Sequence, residues 1–91
     1  MSKARKRLTK AKNNPNGWHF EDLKSLYEAF GFEVSSAKGS HHHAKHPSLK
    51  FRLTFIKHST ELPPAYIRDA VEAIEELLNI EGDKGEDNES E

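Results

Sequence analysis

Apolar residues recur at helical spacing in two stretches of the chain. From Phe20 to Phe30 they fall on one helical face, and Gly31 follows the last of them, where a left-handed C-terminal cap is favoured. From about Pro64 to Leu78 a second set repeats at the same spacing, behind prolines that suit a first helical turn. Its members are Ile67, Val71, Ile74 and Leu78. The pattern predicts two helices, each with one buried face.

Between these helices apolar and polar residues alternate, as is typical of strands. We predict strands at Phe32–Ser35, His41–His46 and Leu49–Phe55, joined by turns at 36–39 and Pro47-Ser48. Side chains alternate across a strand. In the second strand one face therefore carries His41, His43 and Lys45, and the other carries His42, Ala44 and His46.

The order helix, three antiparallel strands, helix predicts an α+β two-layer fold with both helices on one face of the sheet. In outline this α-β-β-β-α order is that of the double-stranded-RNA-binding domain (dsRBD). We predict that residues 16–79 form this domain, that a basic helical segment at 1–14 precedes it, and that an acidic disordered tail follows at 80–91. The N-terminal segment has Ala4, Leu8 and Ala11 at helical spacing.

Charge is distributed unevenly along the chain. Residues 1–12 carry six basic side chains and no acid, whereas residues 81–91 carry six acids and one lysine, within a net charge of −1. Such a basic segment suits a polyanion such as nucleic acid, and it equally suits a solvated terminal helix. Lys45, Lys50 and Arg52 are predicted to add a positive face to the sheet.

Composition excludes several classes of protein. Cysteine is absent, which rules out a disulfide framework and a thiolate zinc site. No apolar run reaches the roughly 20 residues of a membrane helix, and the N-terminus lacks the order of a secretory signal. We therefore expect a cytoplasmic protein.

Four of the six histidines lie in the polar run from Lys38 to Pro47. Histidine exchanges a proton near neutral pH, so this run is the first candidate for chemistry. A transition-metal site is the alternative, because imidazole suits zinc, copper or nickel. His41 and His43 share a face, but two ligands do not complete a tetrahedral site and His46 points the other way. We predict no metal site.

Several short motifs resemble the HicA-type toxins, mRNA interferases of toxin–antitoxin pairs. Gly31-Phe32-Glu33 is similar to the family's Gly-Phe element, and Lys38 to His41 with the trailing His46-Pro47 resembles its Gly-Ser-His strand. His58-Ser59 followed by Glu61-Leu62-Pro63 is similar to its approach to the last helix. The resemblance covers about residues 18 to 78. Members usually carry bulky apolar residues where this chain has His43 and Ala44.

The resemblance implies a metal-independent endoribonuclease, without a cofactor, that a HicB-type antitoxin neutralises. It assigns catalysis to one residue, His41. From charge and expected proximity we add His58 and Lys38 as catalytic support, with Lys45 and Arg52 as further cations near the reacting phosphate. The predicted RNA-binding residues are Lys38, Ser40, Lys45, Lys50 and Arg52. The alternative is a non-catalytic RNA-binding module with the same fold, in which the histidines only contact RNA.

Overall fold

The computed structural model describes residues 3–80, which form three helices and one antiparallel sheet. The helices are α1 (Lys3–Asn13), α2 (Phe20–Ala29) and α3 (Pro64–Ile80). The strands are β1 (Glu33–Ser36), β2 (His41–Lys45) and β3 (Leu53–Ile56), and they lie side by side in chain order.

The register of the sheet decides which side chains share a face. Ala44 of β2 lies between Val34 of β1 and Leu53 of β3, and His42 lies opposite Phe55. Paired residues project to the same side, so this face is directed toward the core. His41 and His43 project from the opposite face, as the alternation predicts. We call that opposite side the open face.

Both α2 and α3 cover the core face of the sheet. The ring of Phe55 lies 5.8 Å from the rings of Phe20 and Tyr27 in α2 and 6.5 Å from that of Tyr66 in α3. The predicted apolar stripes are buried here, with Leu23 and Leu26 of α2 and Ile67 of α3 fully enclosed. The predicted α+β, dsRBD-like arrangement is confirmed.

The end of α2 shows why the chain turns sharply into β1. Gly31 has φ of +86°, its N–H donates to the carbonyl of Glu28 at 3.1 Å, and the N–H of Phe32 donates to that of Tyr27 at 3.1 Å. These two bonds form a Schellman motif, which satisfies carbonyls that the helix end would otherwise leave unpaired.

The third strand differs from its prediction. It begins at Leu53 instead of Leu49, and Phe51, expected on the apolar face, is 49% exposed. The predicted turn at Pro47-Ser48 is present, because the N–H of Leu49 donates to the carbonyl of His46 at 3.0 Å and closes it. The connection then continues to Arg52 before β3 begins. With Ala44 opposite Leu53, Lys50 and Arg52 lie in the connection and are not strand residues.

The basic N-terminal segment forms helix α1, which packs on the other two helices. Leu8 and Ala11 are buried in the same apolar cluster as the residues of α2 and α3. Lys12 forms an ion pair with Glu75 of α3 at 2.7 Å. The division of the chain near residues 14–16 and 79–80 stays a prediction. The acidic tail from residue 81 lies outside the described residues.

Within residues 3–80 no helix combines the length and the apolar character that crossing a membrane requires.

Candidate active site

The turn between β1 and β2 places His41 at the first position of β2. Gly39 has φ of +58°, a conformation that glycine adopts without strain. The N–H of His41 donates to the carbonyl of Lys38 at 2.9 Å, and the N–H of Ala37 donates to the carbonyl of His41 at 2.8 Å. The backbone on both sides of His41 is thereby held by hydrogen bonds.

The imidazole of His41 is exposed on the open face, and one hydrogen bond selects the tautomer of its neutral ring. Nδ1 lies 3.1 Å from the carbonyl oxygen of Lys38. A carbonyl oxygen only accepts, so Nδ1 carries the proton of this bond and donates it. In the neutral ring the lone pair therefore lies on Nε2. His41 presents a proton acceptor to solvent.

His42 projects to the core face, where it is a packing residue. Its ring lies 4.7 Å from the ring of Phe20 and 6.0 Å from that of Phe55, and its Nδ1 donates to the carbonyl of Ser40 at 3.0 Å. These contacts make His42 a structural residue of the core face.

His43 is the second histidine on the open face. It is half-buried, and its Nδ1 lies 3.1 Å from Oγ1 of Thr54. Burial lowers the pKa of His43, and the positive charges of Arg52 and Lys45 lower it further, with smaller effects from His41 and His42. A lowered pKa favours the neutral imidazole.

The predicted basic residues separate into two groups. Lys38 and Ser40 lie in the turn beside His41, where the carbonyl of Ser40 accepts the N–H of Lys57 at 2.8 Å. Lys45 is at the other end of β2, about 13 Å from His41 along the strand. After the larger effect of burial, the positive charge of Arg52 lowers the pKa of His43. Lys50 lies in the exposed connection before β3.

The loop after β3 contributes a lysine that the sequence analysis missed. Ile56 pairs with His41, so the chain that follows leaves the sheet at the end that carries His41. Nζ of Lys57 lies 5.1 Å from the centre of the Phe20 ring, a cation–π contact. The signal in the sequence is its position: a basic residue directly after the alternating strand.

His58, predicted as catalytic support, lies in the same loop. Its ring is 6.1 Å from that of Tyr66 in the first turn of α3, and among the described residues it makes no ring contact with His41. The loop brings His58 to the end of the sheet that carries His41. The ring that His58 contacts, that of Tyr66, belongs to the helical layer.

No group of three or more histidine, cysteine or acidic side chains in residues 3–80 is arranged to hold a metal ion.

His46 accepts a hydrogen bond at Nδ1 from the N–H of Ser48 at 3.0 Å, and its ring lies 5.2 Å from that of Phe32. His46 therefore stabilises the turn after β2.

A comparison with protein families matches residues 20–75 to the model of the HicA toxin of bacterial toxin–antitoxin systems. This range is more than half of the 91 residues. The chain belongs to the HicA family. HicA toxins are mRNA interferases, so the family implies an RNA substrate and an antitoxin partner. Comparisons of the chain with curated proteins and with solved structures find no match.

The HicA match includes α2, the whole sheet and most of α3, and it therefore contains His41, His43 and His58. Helix α1 precedes the matched range. The candidate active site thus lies within the family's domain, and the basic helix is an addition to it.

Proposed function

We propose that this chain is an mRNA interferase toxin that cleaves RNA with His41 as general base. The observation that carries the proposal is the hydrogen bond from Nδ1 of His41 to the carbonyl of Lys38, which leaves Nε2 exposed as a proton acceptor. The HicA match supports RNA as the substrate.

The reaction uses the ribose next to the cleaved bond. Nε2 of His41 takes the proton of the 2′-hydroxyl, and the 2′-oxygen attacks the adjacent phosphorus. The bond from phosphorus to the 5′-oxygen breaks, and that oxygen takes up a proton. The products are a 2′,3′-cyclic phosphate and a 5′-hydroxyl. His58 is the candidate acid for the leaving oxygen, since its loop leaves the sheet beside the strand end that carries His41.

Cations near the phosphate stabilise the charge that develops in the transition state. Lys38 is the nearest candidate by position, because its backbone contacts His41 directly. Lys45 and Arg52 lie beside His43, farther along the open face. We assign these two, with Lys50 and Ser40, to binding the RNA strand on either side of the cleaved bond.

The natural regulator that the family implies is a HicB-type antitoxin. We propose that it silences this chain by covering the open face, where His41 is exposed. Expression of the wild-type chain is then expected to arrest the growth of a bacterial host, and co-expression of the antitoxin to relieve the arrest.

A non-catalytic RNA-binding module is the second candidate, and the hydrogen bond between His43 and Thr54 favours it. That bond uses Nδ1 of His43 within the sheet, as expected of a residue that shapes a binding face. A module of this kind would bind RNA through the open face without cleaving it.

Cleavage of a labelled single-stranded RNA in excess EDTA tests the proposal. We expect His41→Ala to reduce the cleavage rate by about 10² to 10⁴, the usual contribution of a general base. A substrate with 2′-O-methyl groups should resist the wild-type protein, because it lacks the attacking hydroxyl. The products of normal RNA should carry cyclic phosphate ends.

His19→Ala is the matched control, since it removes an exposed histidine that precedes α2 and belongs to none of the strands. It should cleave like the wild type, and circular dichroism should show that all three proteins are folded. Equal cleavage by wild type and His41→Ala would refute the role of His41. Binding without any cleavage by the wild type would support the RNA-binding module instead.

A further inference from the structure

A basic groove runs between α1 and the start of α2. Its volume is about 470 Å³, and the loop at Asn14–Trp18 closes one side. Four basic residues of α1 line it: Lys3, Lys6, Arg7 and Lys10. Asp22 of α2 is the one acidic residue in the lining, so the groove is strongly positive.

Helix α1 is oriented so that these four side chains face solvent. Leu8 and Ala11 are buried against the body, and the four basic residues of the groove are exposed. The remaining cations of α1 are engaged elsewhere, since Lys12 pairs with Glu75 at 2.7 Å and Arg5 is half-buried. Packing of the apolar stripe thus gathers four cations along one side of the helix.

We propose that this groove is a second RNA-binding site, which holds the phosphodiester backbone of the strand whose cleaved bond lies at His41. The inference rests on the proposed function for the nature of the ligand. Its location is independent of the family, because α1 lies before the matched residues 20–75.

The chemistry of the groove favours nucleic acid over a protein partner. The centre of a protein–protein interface is depleted of lysine and enriched in aromatic residues. Here lysine and arginine dominate, and Trp18, the aromatic residue of the lining, is only 6% exposed. A row of cations with little accessible apolar surface suits the repeated charges of a phosphate backbone.

The groove is connected to the candidate active site through the loop that follows β3. The carbonyl of Trp18 accepts the N–H of Leu62 at 2.7 Å, and Oε2 of Glu61 accepts the N–H of Gly17 at 3.2 Å. Lys57, in the same loop, lies over the ring of Phe20, the first residue of α2. Lys57 is thus a cation between the strand end that carries His41 and the start of α2, which borders the groove.

RNA length separates the two sites experimentally. We would measure binding in the His41→Ala background, so that the RNA stays intact, with oligomers of about four and about 16 nucleotides. The groove variant is Lys6→Gln with Lys10→Gln. Its control is Lys24→Gln with Arg68→Gln, which removes two positive charges outside the groove. Glutamine preserves helix propensity at each position.

The groove variant should bind the long RNA about tenfold more weakly near 0.1 M salt and the short RNA unchanged. Loss of two phosphate contacts should also reduce the slope of log affinity against log salt by about 1.4. The control pair should match the parent. Equal affinity and slope for the groove variant and the parent would overturn the proposal. The proposal would also fall if the groove variant lost binding to poly-glutamate without losing RNA binding, because that result would indicate an acidic protein partner.

Cleavage assays with His41 restored keep this proposal separate from the catalytic one. If the protein cleaves the short RNA but the groove variant binds long RNA normally, the nuclease stands and the groove site falls. If the groove variant loses long-RNA affinity while the wild type cleaves nothing, the groove site stands and the nuclease falls.

Discussion

The three consecutive histidines of β2 have three different environments, because the strand sends successive side chains to opposite faces. His41 is exposed with Nε2 available, His42 packs on Phe20, and His43 bonds to Thr54. The motif Gly39-Ser40-His41 was sufficient to select His41 from the sequence. The proton on its Nδ1 was not predictable, since it depends on the carbonyl of Lys38 folding back in the turn.

Burial and, after it, the positive charge of Arg52 should lower the pKa of His43. The Arg52→Gln change removes a positive charge that disfavours the imidazolium, so the pKa of His43 should rise toward the ordinary value of about 6.5. An NMR titration of the His43 ring protons measures this. Lys50→Gln is the control, because Lys50 does not act on His43, and it should leave the titration unchanged.

The same pKa sets a direction for stability. Because the pKa of His43 is lower in the folded protein, the unfolded chain binds its proton more readily between the folded pKa and about 6.5. The contribution of His43 to the free energy of unfolding therefore falls as the pH decreases through that interval. Arg52→Gln should reduce this loss, and an identical titration in both proteins would contradict the assigned electrostatic contact.

At the scale of elements, α2 and α3 were predictable because each carries a long apolar stripe and a clear end signal. Strand β3 was only partly predictable, although its alternation from Leu49 to Phe55 is regular. The register with β2 decides the outcome, since residues 49–51 would have to pair with residues 46–48, which form the turn after β2. Alternation gives the face of a strand and leaves its pairing undetermined.

Of the three glycines within residues 3–80, Gly31 at the end of α2 should be the most sensitive to substitution. Gly31→Ala places a Cβ 3.3 Å from Nε2 of His46 at a φ of +86°, so it combines backbone strain with displacement of the His46 ring. Gly17→Ala is the control, because φ is +81° there and no atom lies within 4 Å. Each change should cost about 1 kcal/mol of strain.

Urea unfolding should show a greater loss of stability for Gly31→Ala than for Gly17→Ala. The difference reports the contact with His46, which stabilises the turn after β2. Equal losses in the two variants would show that the His46 ring moves aside without cost.

At the scale of the whole molecule, the basic helix is held against the HicA domain while its charges remain exposed. The sequence predicted the helix from Ala4, Leu8 and Ala11, and it left open whether the charge served a polyanion or only solvation. The surface that α1 packs against was not predictable, because Leu8 is buried in a cluster formed with residues of α2 and α3. The groove exists only once α1 is packed beside α2.

Both the burial of Leu8 and the ion pair of Lys12 help to hold α1 in place, and burial should outweigh charge. Leu8 is 6% exposed within the apolar cluster, so Leu8→Ala should lower the free energy of unfolding by about 2 kcal/mol or more. The ion pair between Lys12 and Glu75 has side chains 51% and 43% exposed, and Lys12→Gln should cost less than about 1 kcal/mol. Urea unfolding of the two variants compares the contributions. A larger loss for Lys12→Gln would mean that α1 is held mainly by charge, and added salt would then release the helix and dismantle the groove.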